Sequence, residues 1–239
     1  MIRLYVDQNL GAGQTVEPAP PQAHYLGTVM RLKPGAELAL FNGRDGEWRA
    51  RIAELRRGRA SLTVEAQTRP QAAGPDLWML FAPIKKTPLD YVVQKATELG
   101  VAALCPVMTR NTVAGRVNLD RVRANAVEAA EQTGRLDVPR IDAPVTLEAL
   151  LASWPSDRRI LWCDETGASP PVAAALGRAA PGKWAVLTGP EGGFAPGELD
   201  LLRERPFVTG VGLGPRLLRA DTAALAAITC WQALIGDWR

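Results

Sequence analysis

Histidine is nearly absent: His24 is the only one in 239 residues. The three cysteines, Cys105, Cys163 and Cys230, lie far apart and form no C-x-x-C pair. Together these shortages exclude a structural zinc site, which needs four sulfur or imidazole ligands at close spacing, and no metal is expected. An odd number of scattered cysteines suits a reducing compartment better than a disulfide framework. No apolar run reaches the ~18 residues of a membrane span. The opening "MIRLYVDQNL" lacks the apolar core of a secretory signal. The expectation is therefore a cytoplasmic protein without a membrane partner. The sequence also lacks G-x-x-x-x-G-K-[ST], and no G-x-G-x-x-G follows its first βα strand. Neither usual cradle for the phosphates of a nucleotide cofactor is present.

What is there suits a folded protein with a sizeable core: 47% hydrophobic and 22% charged residues. The length suggests one large domain or two small ones. Charge is unevenly placed. Residues 1–70 hold ten Lys/Arg against seven Asp/Glu, whereas residues 71–239 hold eighteen of each, so the net +3 lies wholly in the first segment. Arg44, Arg49, Arg51, Arg56, Arg57 and Arg59 crowd there. Such a segment either faces nucleic acid or forms a solvated arginine-rich surface.

Residues 1–70 read as a small β-barrel. "IRLYV", "AELALFNG", "EWRARIAEL" and "ASLTVEAQ" are short runs with partial alternation, and "FNGRDGEW" carries hairpin turn residues. Tyr25, Leu26, Val29 and Leu32 fall at helical spacing before Pro34-Gly35. "TRPQAAGPD" is the expected linker. From Leu77 the rhythm becomes βα. "LWMLFAPI", "VAALCPVM", "RRILWC", "KWAVLTG" and "FVTGVGLG" are strands of a mostly parallel sheet, buried on both faces. Helices are expected at 88–99, with Thr87 and Asp90 as a capping box, and at 119–134, 171–177, 196–205 and 221–238.

Two glycine-rich loops then follow successive strands, "LTGPEGG" at Leu187–Gly193 and "LGPRLLR" at Leu213–Arg219. Open α/β sheets bind ligands at the carboxyl ends of their strands, and glycine lets backbone groups approach a ligand closely. Glu191 makes the first loop hostile to phosphate. It suits an uncharged nucleoside or a cationic group, unless Glu191 caps the next helix or braces its own loop.

"LTGPEGGFAPGEL" and "LGPRLLRADTAALAAI" resemble the two C-terminal motifs of the ribosomal RNA small subunit methyltransferase E family, of the SPOUT superfamily. "YVVQKATELGVAALCPV", "AVEAAEQTGRLDVPRI" and "HYLGTVMRLKPGAELALFNGRDGEW" are similar to that family's earlier segments. The resemblance spans nearly the whole chain, in order. Two positions depart from the family pattern: Asp221 replaces a glutamate and Met30 a leucine.

The resemblance implies a PUA-like RNA-binding β-barrel at 1–70 and a trefoil-knotted, parallel-sheet α/β methyltransferase domain at 74–239. It implies S-adenosyl-L-methionine as methyl donor, a homodimer, and methylation of N3 of a uridine in 16S ribosomal RNA of the small ribosomal subunit. Carried onto this sequence, it puts Leu187, Thr188, Gly189, Glu191, Gly192, Gly193, Leu213, Gly214, Leu217 and Leu218 at the cofactor. It makes Arg216 and Arg219 catalytic candidates, through the uracil anion or a phosphate, and Gln132 and Arg135 substrate contacts. His24 is expected to be structural.

Overall fold

Alternating buried and exposed side chains shape the first part of the chain into a sheet. The computed structural model describes residues 1–113 and 115–239, with only the backbone of Lys86. It divides into two units, Met1–Ala73 with Ala130–Val138 and Gly74–Ala129 with Pro139–Arg239. Among the described residues, no helix is long and apolar enough to cross a membrane.

In the first unit β1 (Arg3–Tyr5), β2 (Thr15–Val16), β3 (Glu37–Phe41), β4 (Glu47–Arg56) and β5 (Arg59–Arg69) form one sheet in the order β1-β3-β4-β5-β2. Helix α1 (Pro20–His24) runs directly into a π-turn at Tyr25–Val29. Leu26 from that turn packs with Leu4, Leu38, Leu40, Ile52 and Leu62. The two-residue β2 is too short to leave an alternation in the sequence. The arginine-rich segment is partly neutralised in place: Arg49 and Arg51 share Glu65, and Arg51 also pairs with Glu37.

The second unit begins with β6 (Leu77–Phe81), α2 (Lys86–Glu98), β7 (Ala103–Met108), α3 (Leu119–Thr133), β8 (Arg140–Ile141), β9 (Val145–Thr146) and α4 (Leu147–Ala152). It continues with β10 (Arg158–Cys163), α5 (Val172–Leu176), β11 (Lys183–Thr188), α6 (Pro196–Arg203), β12 (Val208–Val211) and α7 (Ala220–Leu234). The strands pair in parallel in the order β12-β10-β11-β6-β7-β8, and β9 pairs with β7. Side chains alternate across this sheet. Leu80, Cys105, Ile160, Trp162, Ala185 and Leu187 face α4 and α6. On the other side α7 packs on β10 and β11 and against α2 and α5. Helices on both faces leave no polar side, hence the unbroken apolar strands.

Some boundaries differ from those expected. Helix α2 starts at Lys86, with Lys85 as an N-cap that makes no side-chain bond. The capping box of Thr87 and Asp90 does not form, because Asp90 accepts from Arg121 Nη2 at 2.6 Å and from Asn125 Nδ2 at 2.8 Å. A charge-assisted pair outweighs a single neutral cap. Strand β12 stops at Val211 because Gly212 N turns to bond Pro170 O. Helix α4 went unread, although its N-cap Thr146 accepts from Ala149 N in the standard way.

Residues 130–138 join the first unit rather than the second. Arg3 is the reason. Its guanidinium donates to Ala130 O, Glu131 O and Arg135 O at the end of α3, while its Nε holds Glu47 at 2.7 Å. Carbonyls at a helix C-terminus lack intrahelical donors and attract a cation.

Candidate active site

Strand β11 delivers the chain at Thr188 to the first glycine loop. A Cβ on Gly189 would stand 2.8 Å from the Phe194 ring, which lies edge-on to Trp162 at 6.1 Å. Gly193 has φ +68°, the left-handed region that favours glycine. Glu165 Oε1 accepts from Phe194 N at 2.9 Å. Asn111 Nδ2 donates to Gly192 O at 3.2 Å and Gly193 O at 3.0 Å. The buried Glu198 accepts from Ala195 N and Arg110 N, both at 2.8 Å. Side chains from three other segments thus hold this loop open. The helix that follows is capped by Glu198, which leaves Glu191 exposed and free of that task.

The second glycine loop links β12 to α7. Gly214 has φ +108°, Leu217 is 83% exposed, and Arg219 is the N-cap of α7. Between the two loops lies a cavity of about 730 Å³. Thr188 and Gly189–Gly193 line it from one side, and Leu217, Leu218, Arg219 and Asp221 from the other. The loop after β6 adds Ile84 and Lys85, the first turn of α2 adds Pro88, and the end of β10 and the loop beyond it add Cys163 and Glu165. The volume falls in the usual range for small-molecule sites, about 300–1,000 Å³.

The expected site residues do not all meet here. Thr188, Gly189, Glu191, Gly192, Gly193, Leu217, Leu218 and Arg219 line the cavity. Leu187 sends its side chain into the core, so only its backbone is available near the loop. Leu213 is half-buried, and Gly214 and Arg216 are exposed; none of the three is in the cavity wall. Gln132 and Arg135 belong to the first unit, where Arg135 pairs with Asp137 at 3.1 Å. His24 lies there too, exposed, with Nδ1 3.2 Å from Thr28 Oγ1. Sequence reasoning missed Lys85, Cys163 and Glu165. The strand-end rule that found the glycine loops holds also for β6 and β10, and would have pointed to them.

The cavity mixes three carboxylates, Glu165, Glu191 and Asp221, with Lys85 and Arg219. The Cys163 thiol is pushed up to about 12, chiefly by burial and then by nearby Glu165. It stays neutral at pH 7 and is no thiolate nucleophile. Among the described residues, no group of three His, Cys, Asp or Glu side chains is placed to hold a metal. Backbone amides, apolar walls and carboxylates suit a nucleoside that carries positive charge.

Two family models match the chain. An RNA methyltransferase domain covers residues 72–232, and an RNA methyltransferase PUA domain covers residues 19–65. The ribosomal RNA small subunit methyltransferase E of Rickettsia conorii is 31% identical over 231 residues, 95% of this chain and 93% of that protein. The crystal structure of the Neisseria gonorrhoeae ribosomal RNA small subunit methyltransferase E, bound to S-adenosyl methionine, is 29% identical. It superposes with a TM-score of 0.89 over 100% of both chains. A methyltransferase from Legionella pneumophila, solved with bound SAM, gives 28% identity and a TM-score of 0.89, covering 99% of this chain and 98% of that one.

Proposed function

Because this chain belongs to the ribosomal RNA small subunit methyltransferase E family, we propose that it methylates N3 of one uridine in 16S ribosomal RNA. At the coarser level it is an S-adenosylmethionine-dependent methyltransferase of small-subunit ribosomal RNA. The observation that carries the proposal is the cavity between two glycine loops at the carboxyl edge of the parallel sheet.

When bound, the cofactor supplies an electrophilic methyl group on a sulfonium. The cavity suits it. Gly189, Gly192 and Gly193 let backbone amides and carbonyls approach, and the acidic Glu165, Glu191 and Asp221 favour a cation. Thr188, Leu217 and Leu218 complete the wall, and Leu187, Leu213 and Gly214 serve through backbone and loop shape.

Uridine N3 is a weak acid and a poor nucleophile while it keeps its proton. Arg219 lines the cavity, and its guanidinium stabilises the anion that remains when that proton leaves to solvent. Arg216, exposed on the same loop, grips a substrate phosphate. Gln132 and Arg135 contact RNA from the end of α3. The N-terminal PUA-type domain is a second RNA contact. We further propose that the chain works as a homodimer, for which sedimentation should give twice the 25.7 kDa chain mass. The position of β11 between β6 and β10 supports a trefoil path for the C-terminal domain.

The test is transfer of labelled methyl to small subunits from cells lacking this protein, followed by nucleoside digestion. Label in 3-methyluridine is the expected result. Label in any other nucleoside would overturn the assignment to N3.

A further inference from the structure

A second concavity, of about 500 Å³, shares Ile84 and Lys85 with the cofactor cavity and so adjoins it. Ile84, Leu89 and Val122 give it an apolar floor, and Lys85, Arg116 and Arg121 bring cations to its rim. Asp90 is its single acidic lining residue. That carboxylate is already bonded to Arg121 through both oxygens, at 2.7 and 2.6 Å, and to Asn125. The positive charge of Arg121 is therefore spent within the protein. Lys85 and Arg116 make no ion pair among the described residues. Lys85 is also the N-cap of α2, whose N-terminus has no side-chain cap and no acidic residue in its first turn. This end of the helix adds positive potential to that of the two free cations.

An apolar floor beside uncompensated cations suits a nucleotide within a single strand of RNA. Its base buries an apolar face against such side chains and its phosphate pairs with a cation. Free anions would have no use for the floor, and an apolar peptide would have none for the cations. We infer that this pocket is an RNA subsite for the nucleotide beside the methylated one. It seats that base over Ile84, Leu89 and Val122, and that phosphate against Lys85 and Arg116. The inference rests on the methyltransferase reading above, since the shared wall of Ile84 and Lys85 places the subsite next to the reacting base. Holding the neighbour limits which base can reach the methyl group, and so contributes to site selection.

Arg116 is the residue to change, because it is exposed and outside the cofactor cavity. Binding of Arg116→Ala and Arg116→Lys to unmodified small ribosomal subunits would be titrated between about 50 and 200 mM salt, with cofactor affinity measured by calorimetry. Arg116→Ala should weaken subunit binding about tenfold, as expected for one lost charge-assisted hydrogen bond. It should lower the slope of log affinity against log salt by about 0.7 to 1. Arg116→Lys should restore the slope, and cofactor affinity should not change in either variant. An unchanged slope and affinity in Arg116→Ala would overturn the subsite, as would a loss of cofactor binding alone. Methyl transfer by the unaltered protein, read as 3-methyluridine, tests the underlying function separately. Subunit binding still judges the subsite if that transfer fails.

Discussion

Arg219 and Gly193 show two ways in which a single residue serves the cavity. Arg219 brings charge. As N-cap of α7 it makes no capping bond with its side chain, so removing the guanidinium should leave the helix intact. Arg219→Ala should cut single-turnover methyl transfer by about 100-fold, the usual cost of losing a donor to a developing anion, with cofactor affinity and melting temperature nearly unchanged. A drop in melting temperature that matches the loss of rate would make its role structural. Gly193 brings shape. Its φ of +68° and the 2.9 Å between a Cβ there and Glu165 Oε1 oppose any side chain. Gly193→Ala should cost about 1–2 kcal/mol, seen in urea unfolding, and should weaken cofactor binding in calorimetry. Wild-type stability in that variant would show that the loop reshapes freely. In the sequence, Gly193 stood out as part of a glycine-rich loop at a strand end, and Arg219 through the family resemblance alone.

At the scale of elements, the first glycine loop depends on side chains far away in the chain. Glu198 reaches back from α6 to Ala195 N and across to Arg110 N, tying the end of the β11 loop to the loop after β7. Glu198→Ala should destabilise the fold by about 2 kcal/mol, since it leaves two backbone donors without their acceptor. Glu198→Gln should lie between, because an amide offers one accepting oxygen in place of two. Urea midpoints of the three proteins give the order, and a Gln variant as unstable as Ala would show that charge rather than acceptor number matters. Most of these elements were legible. Apolar runs marked the long parallel strands, and the stripe of Leu89, Val92, Val93 and Ala96 marked α2. The two-residue β2, β8 and β9 were not, because a pair of residues has no periodicity to read. The start of α2 was misjudged because Asp90, a plausible cap by spacing, is claimed by Arg121 from 31 residues away.

For the molecule as a whole, the division into units does not follow the chain. The N-terminal sheet recruits residues 130–138, with Arg3 bonded to three carbonyls there and Arg69 Nη1 donating to Gly134 O at 2.8 Å. A fragment of residues 1–73 would lack all of these acceptors. It would also uncover the Arg3–Glu47 pair, whose side chains are 13% and 12% exposed in the full protein, and water weakens an exposed pair. The fragment should therefore melt at a clearly lower temperature than the same sheet within the full chain, or without a cooperative transition. Circular dichroism and amide exchange would read this. A fragment as protected as the intact unit would show that the end of α3 is dispensable. Gln132 and Arg135 sit in this same segment, so their effect on RNA must be measured in the full chain.

By itself the sequence determined the classes of chemistry open to this protein. Scarce histidine and cysteine spoke against a structural zinc site, missing phosphate fingerprints spoke against the common nucleotide cofactors, and two glycine loops at strand ends marked a ligand edge. These are local properties, set by residue type and short spacing. Only the tertiary structure decided which residues share a wall. It brought Lys85, Cys163 and Glu165 to the cavity, turned Leu187 into the core, left Arg216 outside the wall, and gave the end of α3 to the N-terminal sheet. Such choices depend on strand order and on competition between distant charged groups for one partner. Neither is encoded in any short stretch of chain.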